Sequence, residues 1–85
     1  MIKGMGPTGQ KKLAEIDINT LDELIKTGSK KAFKKIVLSV DKNICVRMLY
    51  DMEAAIRCVK SKDLPADVKN DLKVYAAWIK LQKIY

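Results

Sequence analysis

The chain has no histidine. A serine or cysteine nucleophile therefore has no imidazole to serve as its base. The cysteines, Cys45 and Cys58, number only two, so a four-ligand structural zinc site is out of reach. Carboxylates do not converge: they fall on predicted helix faces, with Arg47/Asp51 and Glu53/Arg57 spaced as i,i+4 ion pairs. These absences leave no catalytic residue, metal site, cofactor or small-molecule substrate to expect, and the chain reads as non-enzymatic. Gly4-x-Gly6-x-x-Gly9 matches the dinucleotide pattern letter for letter. No strand precedes it, so the match carries no βαβ meaning. Long apolar runs are missing as well. None approaches the roughly 18–20 residues a membrane span needs. Glycines, Pro7 and Lys11-Lys12 also arrive before any signal-peptide h-region could form. No membrane contact is expected, and a cytoplasmic location is.

What is present describes a small globular domain. Of 85 residues, 48% are hydrophobic, too many for disorder, and the length favours one domain over residues 1–85. The net charge is +7, from 17 Lys+Arg against 10 Asp+Glu, and it is spread along the chain without a basic tail. Such a surface favours solubility and anionic partners.

Apolar spacing predicts five helices and no strand, an all-α fold with short connections. Pro7 suits a first turn, and the first helix is predicted over 7–16 with Leu13, Ala14 and Ile16 inward. Thr20 with Glu23 three residues later is a capping box. It opens a second helix with Leu21, Leu24 and Ile25 inward, which Gly28 stops. Ser29 is the predicted N-cap of a third helix, where Phe33, Ile36, Val37 and Val40 recur at i, i+3, i+4, i+7. A fourth, over about 44–59, carries the broadest apolar face: Cys45, Leu49, Met52, Ile56 and Val59, widened by Met48 and Ala55. It is the expected centre of the core. Both cysteines would lie in it about 20 Å apart, too far to bridge, as reduced thiols packed like small hydrophobes. After a loop at Lys60–Asp63, Leu64-Pro65 opens the fifth helix. Val68, Leu72, Tyr75 and Ile79 form its inward stripe. Val74, Trp78, Leu81 and Tyr85 form a second stripe roughly 120° away, which is either a second buried side of the helix within this fold, a fraying helix end, or a face left for a partner.

Four segments in order resemble the TfoX (Sxy) C-terminal domain, a competence-regulator type. They are Gly6-Pro7 with Lys12-Leu13-Ala14-Glu15-Ile16-x-Ile18-x-Thr20-Leu21-x-x-Leu24, then Gly28-x-x-x-Ala32-Phe33-Lys34-Lys35, then Leu49-Tyr50-x-Met52-Glu53-x-Ala55-Ile56-Arg57, then Asp63-Leu64-Pro65. No one segment is specific; their order and spacing are. The resemblance implies a compact five-helix domain related to helix-hairpin-helix and SAM-like folds. It also implies a role in bacterial competence and transcription regulation, beside a cyclic-AMP-responsive factor. The best-known members of this family carry a separate N-terminal domain, whereas this chain starts at Met1 just before the glycine turn. The expectation is a stand-alone relative, or a piece encoded apart from that partner. The family commonly has glycine where Ala55 stands and His-Trp near Lys60-Ser61, and these departures weaken the carry-over of a site in the loop before the fifth helix.

Two features are candidates for contact with phosphate, and one for contact with protein. Helix-hairpin-helix modules offer backbone amides to a nucleic-acid phosphate from an apolar-x-Gly-apolar-Gly turn. Ile2-Lys3-Gly4-Met5-Gly6 fits that pattern, although only Met1-Ile2 stands where a first helix should. Gly4, Gly6, Thr8 and Gly9 with Lys11 and Lys12 would serve there, giving sequence-independent, salt-dependent DNA binding. The alternative is a tight entry turn in which glycines supply positive φ. Lys30, Lys31, Lys34 and Lys35 form one basic strip, a phosphate contact or a solvated face. Val74, Trp78, Leu81 and Tyr85 would dock a protein partner or a second copy as a homodimer. The leading expectation is a regulatory or adaptor domain working by protein contacts; the alternative is the non-specific DNA-binding module.

Overall fold

The apolar spacing is realised as five helices in the computed structural model, which describes residue 2 and residues 5–82. They are α1 (Pro7–Ala14), α2 (Leu21–Thr27), α3 (Ser29–Ser39), α4 (Val46–Arg57) and α5 (Ala66–Gln82), with a 3-10 turn at Ser61–Asp63. No strand occurs among the described residues. The fold is all-α, as the spacing predicts.

α4 is the central element, packing on α2, α3, α5 and the 3-10 turn. It buries Met48, Leu49, Met52, Ala54 and Ala55. These meet Phe33, Ile36 and Val37 of α3, Leu24 of α2 and Leu72, Ala76 and Ile79 of α5 in one apolar cluster. The segment before α1 joins the same cluster through Ile2 and Met5. The Ile2 amide donates to Gln10 Oε1 at 2.8 Å, which folds this segment back over α1.

Local chemistry sets the joints. Thr20 and Glu23 close the expected capping box, with the Glu23 amide donating to Thr20 Oγ1 and the Thr20 amide to Glu23 Oε1. α1 and α4 end in the same way. Asp17 (φ 63°) and Cys58 (φ 59°) adopt the left-handed conformation. The amides of Ile18 and Val59 reach back to the carbonyls of Leu13 and Ala54, a Schellman pattern. That pattern shortens α4 relative to the predicted 44–59. The expected packing of both cysteines is overturned: Cys45 precedes the first turn of α4, Cys58 lies in the left-handed turn that ends it, and both are exposed free thiols. Val59, Ile25 and Ala14, predicted to face inward, are exposed too. The first falls beyond the Schellman turn, and the others lie on faces that no neighbouring helix covers.

α2 and α3 meet at Gly28, the C-cap of one and the N-cap of the other, at φ 87° and ψ 149°. Side chains rarely adopt that conformation. Ser29, predicted as the N-cap, is instead the first residue of α3 and is buried. Its hydroxyl donates to Glu53 Oε1 at 2.5 Å, and Glu53 Oε2 accepts from Arg57 Nε at 2.6 Å. Partial burial pushes the Glu53 carboxyl up, but the Ser29 and Arg57 hydrogen bonds and the Arg57 and Lys30 charges outweigh it and hold it below the usual range.

Two outcomes follow from these joints. Gly28→Ala meets no atom within 4 Å of its new Cβ, so its cost is backbone strain of about 1–3 kcal/mol. Gly6→Ala, at φ −73° in open space, changes stability by less than about 0.5 kcal/mol. Thermal denaturation of the pair checks the contrast. A carboxyl held below its ordinary value stabilises the fold above the unfolded pKa and loses that contribution as pH falls through the folded one. Urea titration should therefore show Glu53→Gln less stable than wild type near pH 7, with the gap narrowing towards about pH 3. Ser29→Ala should cost about 1–2 kcal/mol at neutral pH.

Candidate interaction surfaces

α5 turns one row inward and leaves another in water. Leu72, Ala76 and Ile79 are buried, while Val74 (69%), Trp78 (51%) and Leu81 (59%) are exposed on the far side. Tyr85, the fourth member of the predicted stripe, lies outside the described residues. The Trp78 ring is braced from within its own helix, its centroid 6.1 Å from that of Tyr75 at a tilt of 41°. Tyr75 is half-buried, and burial raises its phenol above the ordinary value while the Lys30 charge pulls the other way. Lys30 Nζ stands 5.4 Å from the Tyr75 ring centroid and 2.6 Å from Asp71 Oδ2. A cation on the face of Tyr75 and a carboxylate beside it fix the base on which the exposed indole rests.

That placement divides the predicted lysine strip. Lys31, Lys34 and Lys35 are exposed on α3, whereas Lys30 turns towards α5. Lysine spacing alone does not reveal this, because the partners Asp71 and Tyr75 lie some forty residues away in the chain.

The glycine turn is also divided. Gly4 is outside the described residues. Gly6 is the exposed N-cap of α1 in extended conformation, Thr8 is exposed in the first turn, and Lys11 is exposed on the helix. Gly28 is the one described glycine at positive φ, so positive φ is not what Gly6 and Gly9 supply. Gly9 provides room instead: a Cβ there would lie 2.9 Å from Met5 Cε and 3.2 Å from Met48 Sδ. Lys12 Nζ bonds Asp41 Oδ2 at 2.9 Å, tying α1 to the loop between α3 and α4. The Lys12 hydrogen bond, with the Asn43 amide, holds the Asp41 carboxyl below its usual range.

Gly6, Thr8, Gly9 and Lys12 line a shallow cleft of about 290 Å³ with Cys45 and Arg47, so the starts of α1 and α4 open on the same hollow. A larger cavity of about 830 Å³ runs along α4 below Leu21 and Lys60. A third, about 650 Å³, lies at the start of α3 beside Glu53, Arg57 and Asp71. The Ser29–Glu53–Arg57 network at its edge escapes sequence reasoning, which places Glu53 with Arg57 on the exposed side. The signal that could have found it is a serine directly after the helix-breaking Gly28.

Among the described residues no group of three or more Cys, Asp or Glu is placed to hold a metal ion. No described helix is long and apolar enough to cross a membrane.

Neither the curated proteins nor the solved structures include a significant match to this chain. The sequence profile of the TfoX C-terminal domain matches residues 1–76, from the entry segment into α5 as far as Ala76. The four segments, the five-helix order and that match agree, and the chain belongs to the TfoX C-terminal domain family.

Proposed function

We propose that this chain is a non-enzymatic regulatory or adaptor domain that works by protein contact through the outer face of α5, as a homodimer or on another protein. The supporting observation is the exposed row of Val74, Trp78 and Leu81, with Trp78 braced on Tyr75. Aromatic anchors on a rigid support are the side chains that carry most binding energy at protein interfaces. Family membership adds the regulatory setting, which the resemblance extends to bacterial transcription and competence. The helix-hairpin-helix relation that the resemblance implies bears on the DNA-binding alternative.

Light scattering at high protein concentration should give a dimer for the wild type and a monomer for Trp78→Ala/Leu81→Ala with unchanged helicity. A wild type that stays monomeric removes the homodimer.

One observation favours a second reading, sequence-independent DNA binding: Lys31, Lys34 and Lys35 are exposed on α3 and enter none of the described ion pairs, and Arg47, likewise outside those pairs, stands at the cleft shared by the starts of α1 and α4. Helix N-termini and lysines are the usual phosphate contacts. Any duplex should then be retarded at low salt, and Lys31→Glu/Lys34→Glu should weaken retardation. Lys30 is left intact in that test because its ammonium is engaged by Asp71 and Tyr75. Unretarded duplex at low salt ends this reading.

A further inference from the structure

A cavity of about 830 Å³ along α4 shares Gly6, Arg47 and Asp51 with the cleft at the start of α1 and continues from there to the end of α4. Arg47, Asp51, Ala54 and Cys58 recur at i, i+4, i+7 and i+11 and form its α4 wall. That row spans about 16 Å at 1.5 Å per residue. Leu21 of α2 stands across from it, and Ala54 and Ala55 are buried at its floor. Val59, 45% exposed, sits at the end where α4 stops. Past Asp51 the groove is lined by Leu21, Ala54, Ala55 and Val59 and is therefore mainly apolar.

Its ends are cationic. Arg47 lies in the first turn of α4, and Lys60 follows the Schellman turn that closes it. The described ion pairs include neither residue, and the Arg47/Asp51 pair expected from spacing is not closed. Asp51 is the one carboxylate in the lining, set one turn along from Arg47.

We propose that this groove binds a short acidic peptide segment whose carboxylates flank apolar residues. A length of about 16 Å accommodates about five extended residues at 3.3 Å each, enough to reach a cation at either end. A small carboxylate would engage one cation and leave the other unused. A duplex backbone would meet the rim without filling the alanine floor. The exposed charges at the two ends set specificity and rate of encounter, and the apolar middle supplies burial.

The test uses the ¹⁵N-labelled full chain and a twelve-residue probe peptide with two glutamates at each end and a leucine-alanine core. A matched peptide with lysine for every glutamate is the control. The acidic peptide should shift the amides of Leu21, Ala54, Ala55, Cys58 and Lys60, and the basic peptide should not. Arg47→Glu/Lys60→Glu, both exposed positions, should weaken binding by about tenfold. Unchanged amide shifts at Phe33 and Ile36 verify that this variant is folded. Trp78→Ala/Leu81→Ala should bind the peptide like wild type, so loss of the α5 reading leaves this one standing. The proposal is overturned by no shift at about 1 mM peptide, by equal binding of the basic peptide, by shifts centred on α5, or by duplex DNA displacing the peptide from the same amides.

Discussion

Two helices of this domain are joined by a single residue. Gly28 ends α2 and begins α3, and its backbone lies where side chains are strained. Its amide closes the last turn of α2 on Leu24, and its carbonyl accepts from Ala32 to start α3. With no intervening loop, the angle between the helices is fixed by one pair of dihedrals. That angle decides where Ser29 points, and Ser29 meets Glu53 on α4. The corner thus registers α3 against the central helix through a buried hydroxyl, and the apolar contacts of Phe33 and Ile36 extend that register along the core.

Electrostatics adds a second layer of registration at the edges. Lys12 with Asp41, Lys30 with Asp71, and Arg57 with Glu53 each take a cation out of the general positive field. Exposed pairs of this kind contribute little individually. Their effect here is on which cations are left for partners. The cations outside these pairs stay spread over the surface, and among them are Lys31, Lys34 and Lys35 of α3 and Arg47 and Lys60 at the rim of the α4 groove.

The helices, their order and most of the core were legible because apolar periodicity and caps act locally. Thr20 and Glu23 announce α2, and Phe33, Ile36 and Val37 announce the buried side of α3, without help from the rest of the fold. What could not be read depends on contacts far apart in sequence. Gly9 is small because Met5 and Met48 close over it, and Met48 is thirty-nine residues away. Lys30 leaves the basic strip because α5 returns beside α3. The cysteines were misplaced for a local reason: an apolar row extrapolated across both ends of α4, when residue 45 starts the helix and residue 58 reverses it. Of the candidate sites, the α5 row was visible from its spacing. The α4 groove was not, since it needs α2 opposite.

Trp78 is the chain's one tryptophan, and it stands half in water within energy-transfer range of Tyr75. The protein therefore carries its one indole on an outer surface, while Tyr50 and Tyr75 are partly buried against the core. Indole emission will follow events on the outer side of α5, shifting to the blue when water is excluded there. Loss of the core, buried around Phe33 and Leu49, must be followed through the amide region or through the tyrosines.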